Sequence, residues 1–155
     1  MTRMLTLRVI TITPLILAAL LGLAPAANAG SDDGHCSDRT LHGAYGFAVE
    51  GTIFASGNQP LLLLRAVALT TFDGKGGLTQ VDHYVVNGTA QTPPGSPWPA
   101  STGTYSVNPD CTGKLTLNVP NMPPFVSYFV VANNGKEIRT VLDANLVSSV
   151  GIRIE

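Results

Sequence analysis

The stretch Asp73-Gly74-Lys75-Gly76-Gly77, followed by Leu78-Thr79-Gln80-Val81-Asp82-His83-Tyr84-Val85-Val86, decides how this chain folds. Its first five residues are turn chemistry, with glycines free to take positive φ. The residues after them alternate: Thr79, Val81, His83 and Val85 fall on one face, and Gln80, Asp82, Tyr84 and Val86 on the other. A period of two belongs to a strand and not to a helix. The residues before the turn, 61–72, are nearly continuous in apolar side chains. The turn therefore joins two sequential antiparallel strands.

The same period runs through the rest of the chain beyond residue 40, with no amphipathic helix. Upstream, over 42–54, Tyr45, Phe47, Val49 and Ile53 alternate with Ala44, Gly46, Ala48, Glu50 and Thr52. Downstream, further strand-like runs cover 102–107, 114–119, 125–132, 136–142 and 146–154. They are separated by Asn108-Pro109-Asp110, by the proline segments 91–99 and 120–124, by Asn133-Asn134-Gly135 and by Asp143-Ala144-Asn145. The proline segments are no central strands, because proline lacks the amide that a ladder needs. Asn-Gly is the strongest hairpin signal in the chain. About eight consecutive antiparallel strands predict an all-β domain, an eight-stranded antiparallel up-and-down barrel whose closure removes exposed edges. A two-sheet β-sandwich fits the same strand count and alternation. An outer-membrane barrel would need aromatic girdles, and the chain has ten aromatic residues in all.

The N-terminus predicts export. Residues 1–8 carry Arg3 and Arg8 and no acid, residues 9–23 are largely apolar, and Ala27-Asn28-Ala29 fits an A-x-A cleavage pattern. The expected division is a signal peptide over 1–29, a flexible N-terminal segment over 30–40 and a single β-domain over 41–155. The expected location is secreted or periplasmic. Loss of 1–29 leaves seven Lys and Arg against ten Asp and Glu. A weakly acidic domain without a basic run is a poor binder of nucleic acid, which needs clustered cations, and of anionic membrane surfaces. In an oxidising compartment the two cysteines, Cys36 and Cys111, are expected to form one structural disulfide. A metal pair or a catalytic thiol would need a C-x-x-C or histidines at ligand spacing, and neither is present.

Four phrases carry a resemblance: Leu41-His42-Gly43-Ala44-Tyr45-Gly46-Phe47, Thr71-Phe72-Asp73-Gly74-Lys75-Gly76-Gly77, Val86-Asn87-Gly88-Thr89, and the stretch from Gly103-Thr104-Tyr105 to Asp110-Cys111-Thr112-Gly113. Together they resemble a group of small exported bacterial proteins, mostly of unassigned function. That group is similar in architecture to the allene oxide cyclase-like and dirigent-like, calycin-like barrels. The resemblance spans roughly residues 36–154 and implies an eight-stranded antiparallel barrel with a central cavity. Plant allene oxide cyclases close a strained epoxide to a cyclopentenone in such a cavity. No catalytic position of theirs matches a residue here.

The chain holds no G-x-S-x-G, no H-E-x-x-H and no phosphate loop. Asp73-Gly74-Lys75-Gly76-Gly77 reads as a turn rather than a calcium or phosphate loop, and Asn87-Gly88-Thr89 as a turn rather than a glycosylation site. No metal and no cofactor are expected. Polar residues inside strand runs are the informative anomaly: Glu50, Arg65, His83, Tyr84, Tyr105, Tyr128 and Arg139. A charge inside a barrel needs a partner or a ligand, because its desolvation is costly. Two readings stay open. Glu50, Arg65, His83, Tyr84, Tyr105 and the loop residue Trp98 bind a small apolar ligand in the lumen, with Glu50 or His83 as an acid–base group. Alternatively, they point to solvent or pack, as alternate strand residues do. Both parities around Arg65 are apolar, so period cannot place it, and Trp98 either closes an entrance or packs outside. The leading expectation is a small-molecule-binding barrel with an apolar ligand. The others are a cyclase- or isomerase-like enzyme and a structural or interaction protein of the cell envelope with a packed interior.

Overall fold

A computed structural model describes residues 35–54, 61–92, 95–143 and 145–155. The expected export signal lies outside them. The strands are β1 (His42–Ile53), β2 (Leu62–Asp73), β3 (Gly77–Val86), β4 (Thr89–Ala90), β5 (Ala100–Val107), β6 (Thr112–Asn118), β7 (Phe125–Ala132), β8 (Glu137–Leu142) and β9 (Leu146–Arg153). They pair in the order β2-β1-β9-β8-β7-β6-β5-β3-β4, and β2 also pairs with β3. That last ladder runs from Leu64↔Val86 to Phe72↔Leu78 and closes the sheet. The fold is a closed eight-stranded antiparallel barrel plus one extra strand, and not a two-sheet sandwich. The extra strand is β4, the two-residue addition to β3. It exists because Asn87 and Gly88 both take positive φ and reverse the chain at once.

The two ends of the barrel differ. At one end the connections are short: 74–76, 108–111 and 133–136. At the other lie the longer connections 54–61, 87–99 and 119–124. The short-loop end is plugged by inward aromatic side chains. Phe72 stands edge-on between Tyr45 and Tyr105, with ring centroids 5.3 and 5.0 Å away and both interplanar angles 88°. Leu41 and Ile138 are fully buried beside them. The tyrosine hydroxyls stay satisfied inside this plug, as buried Tyr usually does. Tyr45 donates to the Gly135 carbonyl, and Tyr105 is shared between the carbonyls of Asp38 at 2.9 Å and Leu41 at 3.0 Å.

Residues 35–40, the described part of the segment expected to be flexible, have fixed partners instead. Asp38–Thr40 is a 3-10 turn. The Asp38 carboxylate accepts from Val107 N at 2.8 Å, and Cys36 N donates to the Pro109 carbonyl at 3.2 Å. Cys36 and Cys111 are bonded, with Cα atoms 5.0 Å apart. The disulfide thus ties the strap over the plugged end to the β5–β6 turn.

Glycines on neighbouring strands make room for two further rings. Phe47 pairs with Gly151 and Phe129 with Gly113. A Cβ on either glycine would lie within 2.4 Å of ring atoms. The bulk thus comes from one strand and the space from the next, as close packing requires.

Candidate functional site: the barrel lumen

Above the plug the barrel is hollow, with a cavity of about 210 Å³. Its floor is Phe47, Thr70 and Leu78, and its mouth is framed by Ile53, Leu64, Val86, Met122 and Phe125. At mid-depth the inward side chains include Ala66, Ala68, Ser127 and Ser149, which are too small to meet across the axis. An eight-stranded barrel is only just wide enough for its side chains or one small ligand. Small residues at this level therefore decide that space remains.

The walls are mostly apolar, and the polar group with the only carboxylate among the described lining residues is built from paired strands. Thr70 on β2 faces Gln80 on β3, and Gln80 faces Ser101 on β5. Thr70 Oγ1 donates to Gln80 Oε1 at 2.8 Å, and Gln80 Nε2 donates to Asp82 Oδ2 at 3.0 Å. Ser101 is 6% exposed, and its Oγ has no hydrogen-bond partner among the described residues. Burial pushes the Asp82 carboxyl above its ordinary range, against the opposing Gln80 hydrogen bond and the charge of His83. Across the lumen Thr140 and Ser149 share a hydrogen bond of 2.7 Å. No Lys, Arg or His lines the cavity among the described residues. The segments 55–60 and 93–94 contain no ionisable residue by sequence.

The residues expected at the site divide between the two sides of the wall. Tyr84 faces the lumen. Tyr105 lies below the cavity, in the plug. Glu50, Arg65 and His83 face outward, in a shallow groove on the outer wall with Val67, Val85 and Val150. Of the two readings left open for these three residues, the outward one describes their placement, and the lumen-lining one is corrected. Glu50 and Arg65 are cross-strand partners and form a 3.5 Å ion pair with both side chains 67% exposed. Such a pair needs no ligand, and in water it adds little stability. His83 Nδ1–H donates to the Pro97 carbonyl at 2.9 Å, and its ring lies 6.0 Å from that of Trp98. Trp98 thus packs against the outside wall, 51% exposed. Tyr128 and Arg139 are also on the outside: Lys114 sits over the Tyr128 ring, and Arg139 pairs with Glu137 at 2.6 Å.

The polar residues that do line the lumen, Asp82 and Gln80, lay in the alternation of β3 on the same face as Tyr84. They were missed because that face is the more polar of the two, and alternation alone turns the more polar face to solvent. Among the described residues no group of three or more His, Cys, Asp or Glu is placed to hold a metal ion. No described helix is long and apolar enough to cross a membrane.

The raised Asp82 carboxyl has a consequence for stability. The folded chain holds this proton at pH values where the unfolded chain, with its ordinary value of 3.8, has lost it. Stability from this group therefore falls as pH rises from the ordinary carboxylate range through the folded-state value, and stays lower at neutral pH. Asp73 and Asp110 act in the opposite direction. Backbone N–H donors of Lys75 and Gly77 hold Asp73 low, and Thr112 holds Asp110 low. Their contribution is present above the ordinary range and is lost as pH falls through their folded-state values. The variant Asp82→Asn should accordingly melt higher than the parent at pH 7, by about 1 kcal/mol, the scale of one ill-satisfied buried group. The gain should vanish below the ordinary carboxylate range. Thermal melts from pH 3 to pH 8 check both the sign and the window.

Compared with known proteins, the chain matches no protein-family model, no curated protein and no solved structure.

Proposed function

We propose that this chain is an exported small-molecule-binding protein that holds a slender apolar ligand in its barrel lumen. The observation that carries this reading is the largely apolar cavity of about 210 Å³ in the barrel lumen, with the Thr70–Gln80–Asp82 group in its wall. Pockets for drug-sized ligands run from roughly 300 to 1,000 Å³, so the size supports a smaller or thinner molecule. Loops carry function when a rigid scaffold positions them, and here Val119 and Met122 of the 119–124 connection line the cavity. Export rests on the residue pattern of 1–29. A structural role with a packed interior leaves the cavity unexplained.

Asp82 supports a second reading, an isomerase- or cyclase-like enzyme as the barrel resemblance implies. A carboxyl group whose pKa burial raises, as it does for Asp82, is a fitting general acid. Glu50 and His83, on the outer wall, cannot reach a substrate in the lumen.

The test is a titration of the purified protein with n-octanol, followed by methyl and amide NMR. The binding reading expects saturable shifts at the inward Leu64, Leu115, Leu117 and Val147, with the outward Val67, Val130 and Ile152 unmoved. Shifts confined to outward residues, or none at all, would overturn it.

A further inference from the structure

The Thr70–Gln80–Asp82 group in the lumen has a chemical polarity of its own. Thr70 spends its proton on Gln80, and Gln80 spends its amide proton on Asp82. Both donors in the chain thus point toward the carboxylate. The only hydrogen bond to the Asp82 side chain among the described residues comes from Gln80, leaving the other carboxylate oxygen open. Thr70 Oγ1 keeps its lone pairs, and the buried Ser101 Oγ, on the residue paired with Gln80, has no partner among the described residues. The group is therefore rich in acceptors, holds one potential negative charge and has no cation near it in the cavity wall.

We propose that this pole selects a ligand whose polar end donates hydrogen bonds and carries positive charge: a primary alkylamine, with its ammonium group on Asp82 and its chain along Val49, Ala66, Leu115 and Leu117. The inference rests on the lumen being the binding site and adds the ligand class. An ammonium group brings three donors and no acceptor, and it would meet the open Asp82 oxygen and Thr70 Oγ1, both on residues that line the cavity. Its charge offsets the desolvation that burial imposes on the carboxylate. A ligand carboxylate would meet the opposite situation. Two carboxylates would share an apolar site with no counter-ion, so one would have to take up a proton before binding. An alcohol lies between them, able to donate one hydrogen bond without charge.

The closing experiment compares three probes of equal chain length, n-octylamine, n-octanol and sodium octanoate, by calorimetry at pH 7 on the unmodified protein and on Asp82→Asn. The expected order of affinity is octylamine over octanol by at least tenfold, the scale of one charge-assisted contact, and octanol over octanoate. Asp82→Asn should bring octylamine to within threefold of octanol, both measured on the same variant. Octanoate binding as tightly as octylamine would overturn the proposal, as would an amine advantage that survives Asp82→Asn. The comparison on the unmodified protein stands even if the variant fails to fold. If octanol binds and octylamine has no advantage, only the ligand class fails. If none of the three binds, the lumen reading fails with it.

Discussion

Replacing Cys36 and Cys111 together by serine should lower the melting temperature by about 15 °C. The bond links residues 75 apart in sequence, and loop-closure entropy for such a ring is worth about 4 kcal/mol on the chain-entropy account. For a domain of this size 1 kcal/mol corresponds to roughly 4 °C. The bond also holds the strap whose Asp38 caps the Val107 amide and the Tyr105 hydroxyl, so its loss loosens the plugged end first. Differential scanning calorimetry of the double variant against the oxidised parent measures the shift. A change under about 3 °C, less than 1 kcal/mol on the same scale, would show that the plug holds without the bond.

Phe72→Ala should cost at least as much. Phe72 is 2% exposed and is the ring that both Tyr45 and Tyr105 meet edge-on. Emptying a site of this size costs about 3–5 kcal/mol, and each lost aromatic pair adds about 0.5–1.5 kcal/mol. Against a typical domain stability of about 5–15 kcal/mol, that leaves a marginal fold. Phe72→Leu, which refills most of the volume, should lose about 1–2 kcal/mol. Urea unfolding of the two variants reads the difference. An alanine variant losing under about 2 kcal/mol would mean that the plugged end relaxes and refills the site, contrary to the close packing described.

The backbone was legible because its signals are local. The runs at 42–54, 125–132 and 146–154 match β1, β7 and β9 to within a residue at either end, since alternation and turn residues act over a few positions. Closure was not legible in that way. Whether β1 reaches β9 across the seam of a ring or lies in a stacked layer depends on registry between distant strands. The division of inside from outside was harder still. At mid-strand on β2 the outward side chains Leu63, Val67 and Leu69 are bulkier than the inward Ala66, Ala68 and Thr70. A hollow barrel puts small side chains where a filled core puts large ones, so apolar bulk alone points the wrong way. Arg65 sits on that apolar outer face, where its partner Glu50 is supplied by the next strand. β4 was missed because a two-residue strand has no period to read.

Ala66 and Val67 are neighbours in sequence on opposite sides of the wall, Ala66 lining the cavity and Val67 51% exposed. Calorimetric titration of n-octanol into Ala66→Trp and Val67→Trp therefore tests the central claim most directly. The account predicts that tryptophan at 66 fills the lumen and abolishes binding, while tryptophan at 67 leaves affinity within twofold of the parent, both variants remaining folded by circular dichroism. Undiminished binding in Ala66→Trp, or loss only in Val67→Trp, would place the site outside the barrel and contradict it.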